Sequence, residues 1–311
     1  MTLVAGYAPD GNSSSTMHLA AQLARSAGER VVVCSVIPSP PPPGMAKVDG
    51  EYHQQLRTEA LAALAEARAI VPDDIEANYV VHEAASTATG ILELVERHDA
   101  KMIVLGSSTA GVFGHVALGS VTSRLLHSSN VPIALAPRGF RCQKGERVTR
   151  VTAAFAGSRD QDELVLAAAA VAARVGAALR LAAFAVRSPT RYTASLGTEG
   201  ETPVAAEWAA AVARETTAAF ARVATLPEVP DALESVVSHG RNWAEALEGL
   251  EWRSGDVLAV GSSKSGPVAL VFLGARAAKI IRFSPVPVVV VPRSAAARIV
   301  GDAVQKGDAS T

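Results

Sequence analysis

The strongest constraint on this chain is an internal repeat. Residues 106–138 and 261–293 align at a constant offset of 155 with no gap, and 12 of the 33 paired positions carry the same residue. Gly106, Gly111, Gly119, Pro132 and Pro137 are each met by the same residue type in the second copy. Glycines and prolines spaced this irregularly do not coincide through shared composition, so the chain is a tandem duplication. Its 311 residues suffice for two domains of about 150 residues each.

Both halves show the same order of elements. In the first, the short apolar run TLVAGYA precedes a helical spacing of Leu19 and Leu23 over 16–26. RVVVCSVI is rich in β-branched residues, as strands are. Pro40 to Pro43 form a loop, Glu51 to Arg68 read as a helix, and IEANYVVH follows as a strand. The helix to Arg97, the strand KMIVLGS, the helix from Ser120 and the strand VPIALAP complete the half. Strands at 102–105 and 133–136 are apolar without alternation, which requires burial on both faces of a parallel sheet. The expected fold is α/β, Rossmann-like: two tandem domains, each a five-stranded parallel sheet with helices on both faces. The first domain is placed at 1–140 and the second at 148–294, joined by the polar stretch 138–149, with 295–311 as a flexible tail. VPIALAP and VPVVVVP close their halves as edge strands, whose open hydrogen-bonding groups invite them to pair with each other.

Composition excludes several function classes. A formal net charge of −1 gives no pull towards nucleic acid or an anionic membrane. Cys34 and Cys142 stand far apart, so neither a CxxC pair nor a four-thiolate zinc site can form. The seven histidines lack metal-ligand spacing, and no metal site is expected. The apolar run Leu164 to Ala173 is shorter than the roughly 20 residues that span a bilayer. The first residues, MTLVAGYAPDG, do not read as a signal peptide, and a cytoplasmic location is expected.

The segment VLGSSTAGVFGHVALGSVTSRLL, residues 104–126, runs a strand into a glycine- and serine-rich loop and then into a helix. In parallel α/β sheets ligands bind beyond the carboxyl ends of the strands. A helix starting near Ser120 offers unpaired N–H groups and the positive end of its dipole to an anion. Alternatively, Ser120 merely caps that helix. The loop is neither a Walker A sequence nor a GxGxxG turn.

The order strand, G-x2-G-x9-G-S/T, helix, Val-Pro strand resembles the ATP-binding signature of the universal stress protein family, and the duplication resembles its tandem members. That resemblance implies ATP as ligand, with or without Mg, and a closing strand that builds a dimer interface; several members bind no nucleotide. Carried over by position, it implies a site of Ala8, Pro9, Asp10 and Ile37 with Gly106, Ser107, Thr109, Gly119, Ser120 and Val121. Two positions depart from the pattern. Thr109 stands where the second glycine belongs, and Ala8 where the nucleoside-binding aspartate belongs, with Asp10 two residues later. Asp10 equally reads as a turn residue, and Ile37 as plain core. In the second half Lys264 replaces the second glycine and Ala275 the serine, so that copy is expected to be degenerate.

The implied function is a cytoplasmic, adenine-nucleotide-binding stress-response regulator rather than an enzyme. His115 is the one titratable side chain between Gly106 and Ser120, which leaves phosphoryl transfer without a placed base. A weak ATPase and a nucleotide-free interaction module are the alternatives. The expected partners are the nucleotide and the paired closing strands, within one chain or in a homodimer.

Overall fold

The computed structural model describes residues 2–8, 13–39, 47–109, 112–157, 161–186, 201–262 and 274–309. The chain forms two compact units, residues 1–148 with 262–292 and residues 149–261 with 293–311.

Unit 1 is built from β1 (Thr2–Gly6), α1 (Ser14–Ala27), β2 (Arg30–Pro38), α2 (Lys47–Ile70), β3 (Ala77–Ala84), α3 (Thr87–Arg97), β4 (Ala100–Gly106), α4 (Ser120–Ser128) and β5 (Ile133–Ala136). Its strands lie in the order β3-β2-β1-β4-β5, all parallel. Right-handed crossovers in this order put α1 and α2 on one face and α3 and α4 on the other. The contacts agree, since α1 packs against α2 and α3 against α4. Val4, Ala5, Ile103, Val104 and Leu135 are consequently buried on both sides of the sheet.

Unit 2 repeats the plan with β6 (Arg150–Ala154), α5 (Asp162–Val175), β7 (Ala178–Val186), α6 (Glu201–Val223), β8 (Leu233–Gly240), α7 (Trp243–Glu248) and β9 (Asp256–Gly261). Its strands run β9-β6-β7-β8, again parallel. α1 and α5 end alike: Gly28 and Gly176 both sit at φ 66°, and each amide caps its helix on the carbonyl of Ala24 or Ala172. Only glycine enters this left-handed conformation without strain, so the duplication extends into regions with little residue identity.

α8 (Ala275–Phe283), β10 (Val288–Val291) and α9 (Arg293–Ala309) complete the chain. β10 pairs with β5 antiparallel, Val288 opposite Leu135 and Val290 opposite Ile133, as the edge-strand argument anticipates. By contact β10 therefore belongs to unit 1, although the repeat places it in the second copy. The expected loose tail at 295–311 is instead largely α9. Ala295 and Ala296 are each 2% exposed, and the helix lies against α5, whose alanines allow close approach. The joint at 138–149 is likewise fastened. Arg25 donates to the Glu146 carbonyl, Gln22 to the Glu146 carboxylate, the Val148 amide to Ser26, and the Cys142 thiol to the His18 carbonyl.

At the amino ends of the unit 2 strands lies a buried ionic cluster. Arg150 holds Asp256 at 2.6 and 3.0 Å and Glu234 at 3.0 Å. Arg180 donates to Thr152 and to the Glu251 carbonyl, with Trp252 stacked 4.7 Å from its guanidinium. Bonding to Asp256 pushes the Arg150 pKa up, whereas burial and then neighbouring Arg150 push that of Arg180 down.

Candidate functional site

β1 and β4 are neighbours whose following connections leave in opposite directions, β1 to β2 and β4 to β5. Such a reversal opens a crevice beyond the carboxyl ends of the two strands. The loops after β1 and β4 border it. Of the first, Pro9 and Asp10 lie outside the described residues. Ala8 is tied at both its amide and its carbonyl to the Ser13 hydroxyl, at 3.1 and 3.2 Å. Ile37, next to the last residue of β2, is 5% exposed.

The loop after β4 is braced on itself. The Ser107 amide donates to the Ala136 carbonyl, and the Ser107 hydroxyl accepts from the Ala117 amide at 2.8 Å. The Ser108 amide donates to the Ala117 carbonyl at 2.8 Å. Thr109 is exposed, and its carbonyl accepts from Arg138, a residue after β5. Arg138 also exchanges backbone hydrogen bonds with Gly114 and His115. A cation is therefore attached to a loop whose own sequence from 106 to 120 has none. His115 is half-buried, and its Nδ1 is buried without a hydrogen-bond partner among the described residues.

α4 begins at Ser120, with Gly119 as its extended N-cap and no side chain bonded to the first turn. Ser120 is thus the first helical residue, exposed, rather than the cap, and Val121 follows it half-buried. The two glycines framing the loop differ in purpose. A Cβ on Gly106 would lie 2.7 Å from the Thr16 hydroxyl oxygen, so packing itself demands glycine there. At Gly119 a Cβ would meet Ser108 at an ordinary 3.5 Å, and φ is −82°. Nothing among the described residues around residue 119 requires a glycine.

Thr16, in the first turn of α1, went unnoticed in the sequence. It is 1% exposed, and its hydroxyl has no hydrogen-bond partner among the described residues. In unit 2 the corresponding side chain against Gly261 is Leu164, 3.4 Å from a Cβ built there. Gln161 takes over the role of Ser13 by accepting from the Ala156 amide. Arg293, the repeat partner of Arg138, turns to Glu163 at 3.4 Å. α8 starts at Ala275 after Gly274, and Lys264 lies outside the described residues. Of the polar fittings around unit 1's crevice, Ser13 thus keeps a polar counterpart in unit 2, whereas those of Thr16 and Arg138 are apolar and diverted respectively. Among the described residues no group of three or more His, Cys, Asp or Glu is placed to hold a metal ion.

The profile of the universal stress protein family matches residues 2–137 and again 147–292. Universal stress proteins of Mycobacterium tuberculosis and Mycobacterium bovis are each 37% identical over 296 residues, covering 94% of this chain and 100% of theirs. A solved universal stress protein from Archaeoglobus fulgidus shares the fold, with a TM-score of 0.57 at 19% identity, over 94% of this chain and 98% of its own. Two profile matches in tandem, which together take in most of the sequence, show that the chain belongs to the universal stress protein family.

Proposed function

We propose that unit 1 binds an adenine nucleotide, ATP with or without Mg, and that the chain acts in the cytoplasm as a regulator through its bound state rather than by turnover. The observation that carries this reading is Gly119: a glycine that packing among the described residues does not require opens a helix without a side-chain cap beside the β1–β4 crevice. A bare backbone there leaves room for a phosphate against the first-turn N–H groups. Thr109 and Ser120 add hydroxyls, and Arg138 adds the charge that accompanies a polyphosphate. A catalytic reading has less support, since no described carboxylate stands at the loop and the one imidazole there, that of His115, has its Nδ1 buried. A nucleotide-free interaction module is the second reading, favoured by Thr109 and Ala8 at positions where the family pattern has glycine and aspartate.

Calorimetric titration of the full chain with ATP tests the proposal, folding being checked by circular dichroism. Gly119→Val should abolish binding in a folded protein, because the branched side chain fills the phosphate's place. Ser120→Ala should weaken it by about tenfold or less, the worth of one hydrogen bond. Arg138→Ala should weaken ATP more than adenosine, while Arg293→Ala should change neither. Unchanged affinity in folded Gly119→Val would move the site elsewhere, and no binding by the wild type would leave the interaction module.

A further inference from the structure

Unit 2 contains a half-open, mainly apolar cavity of about 120 Å³. Phe155, Leu181, Ala183 and Val237 form its floor on one face of the sheet, and Val212 and Thr216 of α6 form its wall. The floor residues share a face because side chains alternate along a strand and Leu181 and Ala183 are paired with Ser235 and Val237. Exposed Ser235 stands at the rim.

The duplication shows what the sister repeat carries at the position of Ser235. The Tyr7 amide bonds to the Cys34 carbonyl in unit 1, and the Phe155 amide to the Ala182 carbonyl in unit 2, so β1–β2 and β6–β7 share one register. In that register Val33 pairs with Tyr79, and Leu181 pairs with Ser235. Unit 1 therefore carries a phenol ring where unit 2 carries a serine. The ring of Tyr79 is covered by the Arg68 guanidinium, 4.7 Å from its centroid. Unit 2 has the same strand register and a helix above it, but no ring at this position.

We propose that this cavity is a binding site for a small monocyclic phenol, the group the sister repeat supplies from its own chain. Its volume approaches the roughly 150 Å³ at which an apolar cavity accepts benzene. Thr216 places a hydroxyl in the wall, and a phenol can exchange a hydrogen bond with it while its ring meets Phe155 and Leu181. The proposal does not depend on nucleotide binding in unit 1.

The test is methyl-detected NMR titration of the full chain with p-cresol, the tyrosine side chain as a free molecule, and with toluene, the same ring without its hydroxyl. Saturable shifts in the methyls of Leu181, Val212 and Val237 are expected with p-cresol in the millimolar range or tighter, and weaker ones with toluene. Thr216→Val should weaken p-cresol about fivefold and leave toluene unchanged, one hydrogen bond being at stake. Ser235→Tyr should abolish binding of both; Ala183→Leu, which fills the floor, should do the same if the tyrosine variant does not fold. The proposal is overturned if the wild type shows no saturable shifts, if a folded filled variant still binds, or if toluene binds as tightly as p-cresol.

Discussion

Replacing Thr16 by valine should make the ligand-free protein more stable, although it removes a polar group near the candidate site. The Thr16 hydroxyl is buried and has no partner among the described residues, and an unpaired buried hydroxyl costs about 1–3 kcal/mol. Valine has nearly the same shape and a similar helix propensity, and its added methyl gains up to about 0.8 kcal/mol of burial. The methyl must also sit against Gly106, whose missing Cβ leaves the space. Crowding there returns part of the gain, so the net expectation is about 1–2 kcal/mol. For a domain of this size that raises Tm by roughly 3–6 °C. Differential scanning calorimetry of wild type and variant, both freed of nucleotide, measures it. A folded Thr16→Val protein with a lower Tm would refute the reasoning, since it would mean that the hydroxyl is already satisfied in the ligand-free protein.

The two strand-end glycines should respond differently to alanine. Gly106→Ala forces a Cβ to 2.7 Å from Thr16 and should cost about 1–2 kcal/mol, whereas Gly261→Ala meets Leu164 at 3.4 Å and should be near neutral; urea denaturation of each variant decides. Asp256→Ala strands Arg150 and Arg180 in a buried site and should destabilise unit 2 by about 3–5 kcal/mol, a loss that Asp256→Asn should largely share, because its amide keeps the size but neither the charge nor both acceptor oxygens that Arg150 uses. Burial pushes the Cys34 thiol up to about 12 from 9.0, so a thiol reagent at pH 8 should modify Cys142 and reach Cys34 only on unfolding, as read by mass spectrometry. Because the native thiol keeps its proton after the unfolded thiol has lost it, the stability of wild type relative to Cys34→Ala should fall as pH rises from 9.0 towards 12.

By itself the sequence determined the periodic and local features of this protein. Hydrophobic runs without alternation are a local property, and they mark β5 at 133–136 to the residue. The glycine before Ser120 placed the start of α4, because backbone freedom at a helix start is also local. The repeat determined the duplicated order of elements, since identical residues at irregular spacings survive only through shared descent and a shared fold, and the loop pattern from Gly106 to Ser120 carried the resemblance to the family. What required the tertiary structure is every pairing of residues distant in the chain. Thr16 reads as an ordinary helical threonine until the crossover from β1 brings it against Gly106. Arg138 reads as a linker residue until β5, lying beside β4, delivers it to the Thr109 carbonyl. α9 has weak amphipathicity and a glycine, and it is helical because α5 offers it an alanine surface. Arg150, Arg180 and Asp256 are unremarkable charges in sequence, and only the parallel register of β6, β7 and β9 gathers them into one buried cluster. In each case the energy lies in a contact between segments tens of residues apart, which composition and spacing along a single segment do not encode.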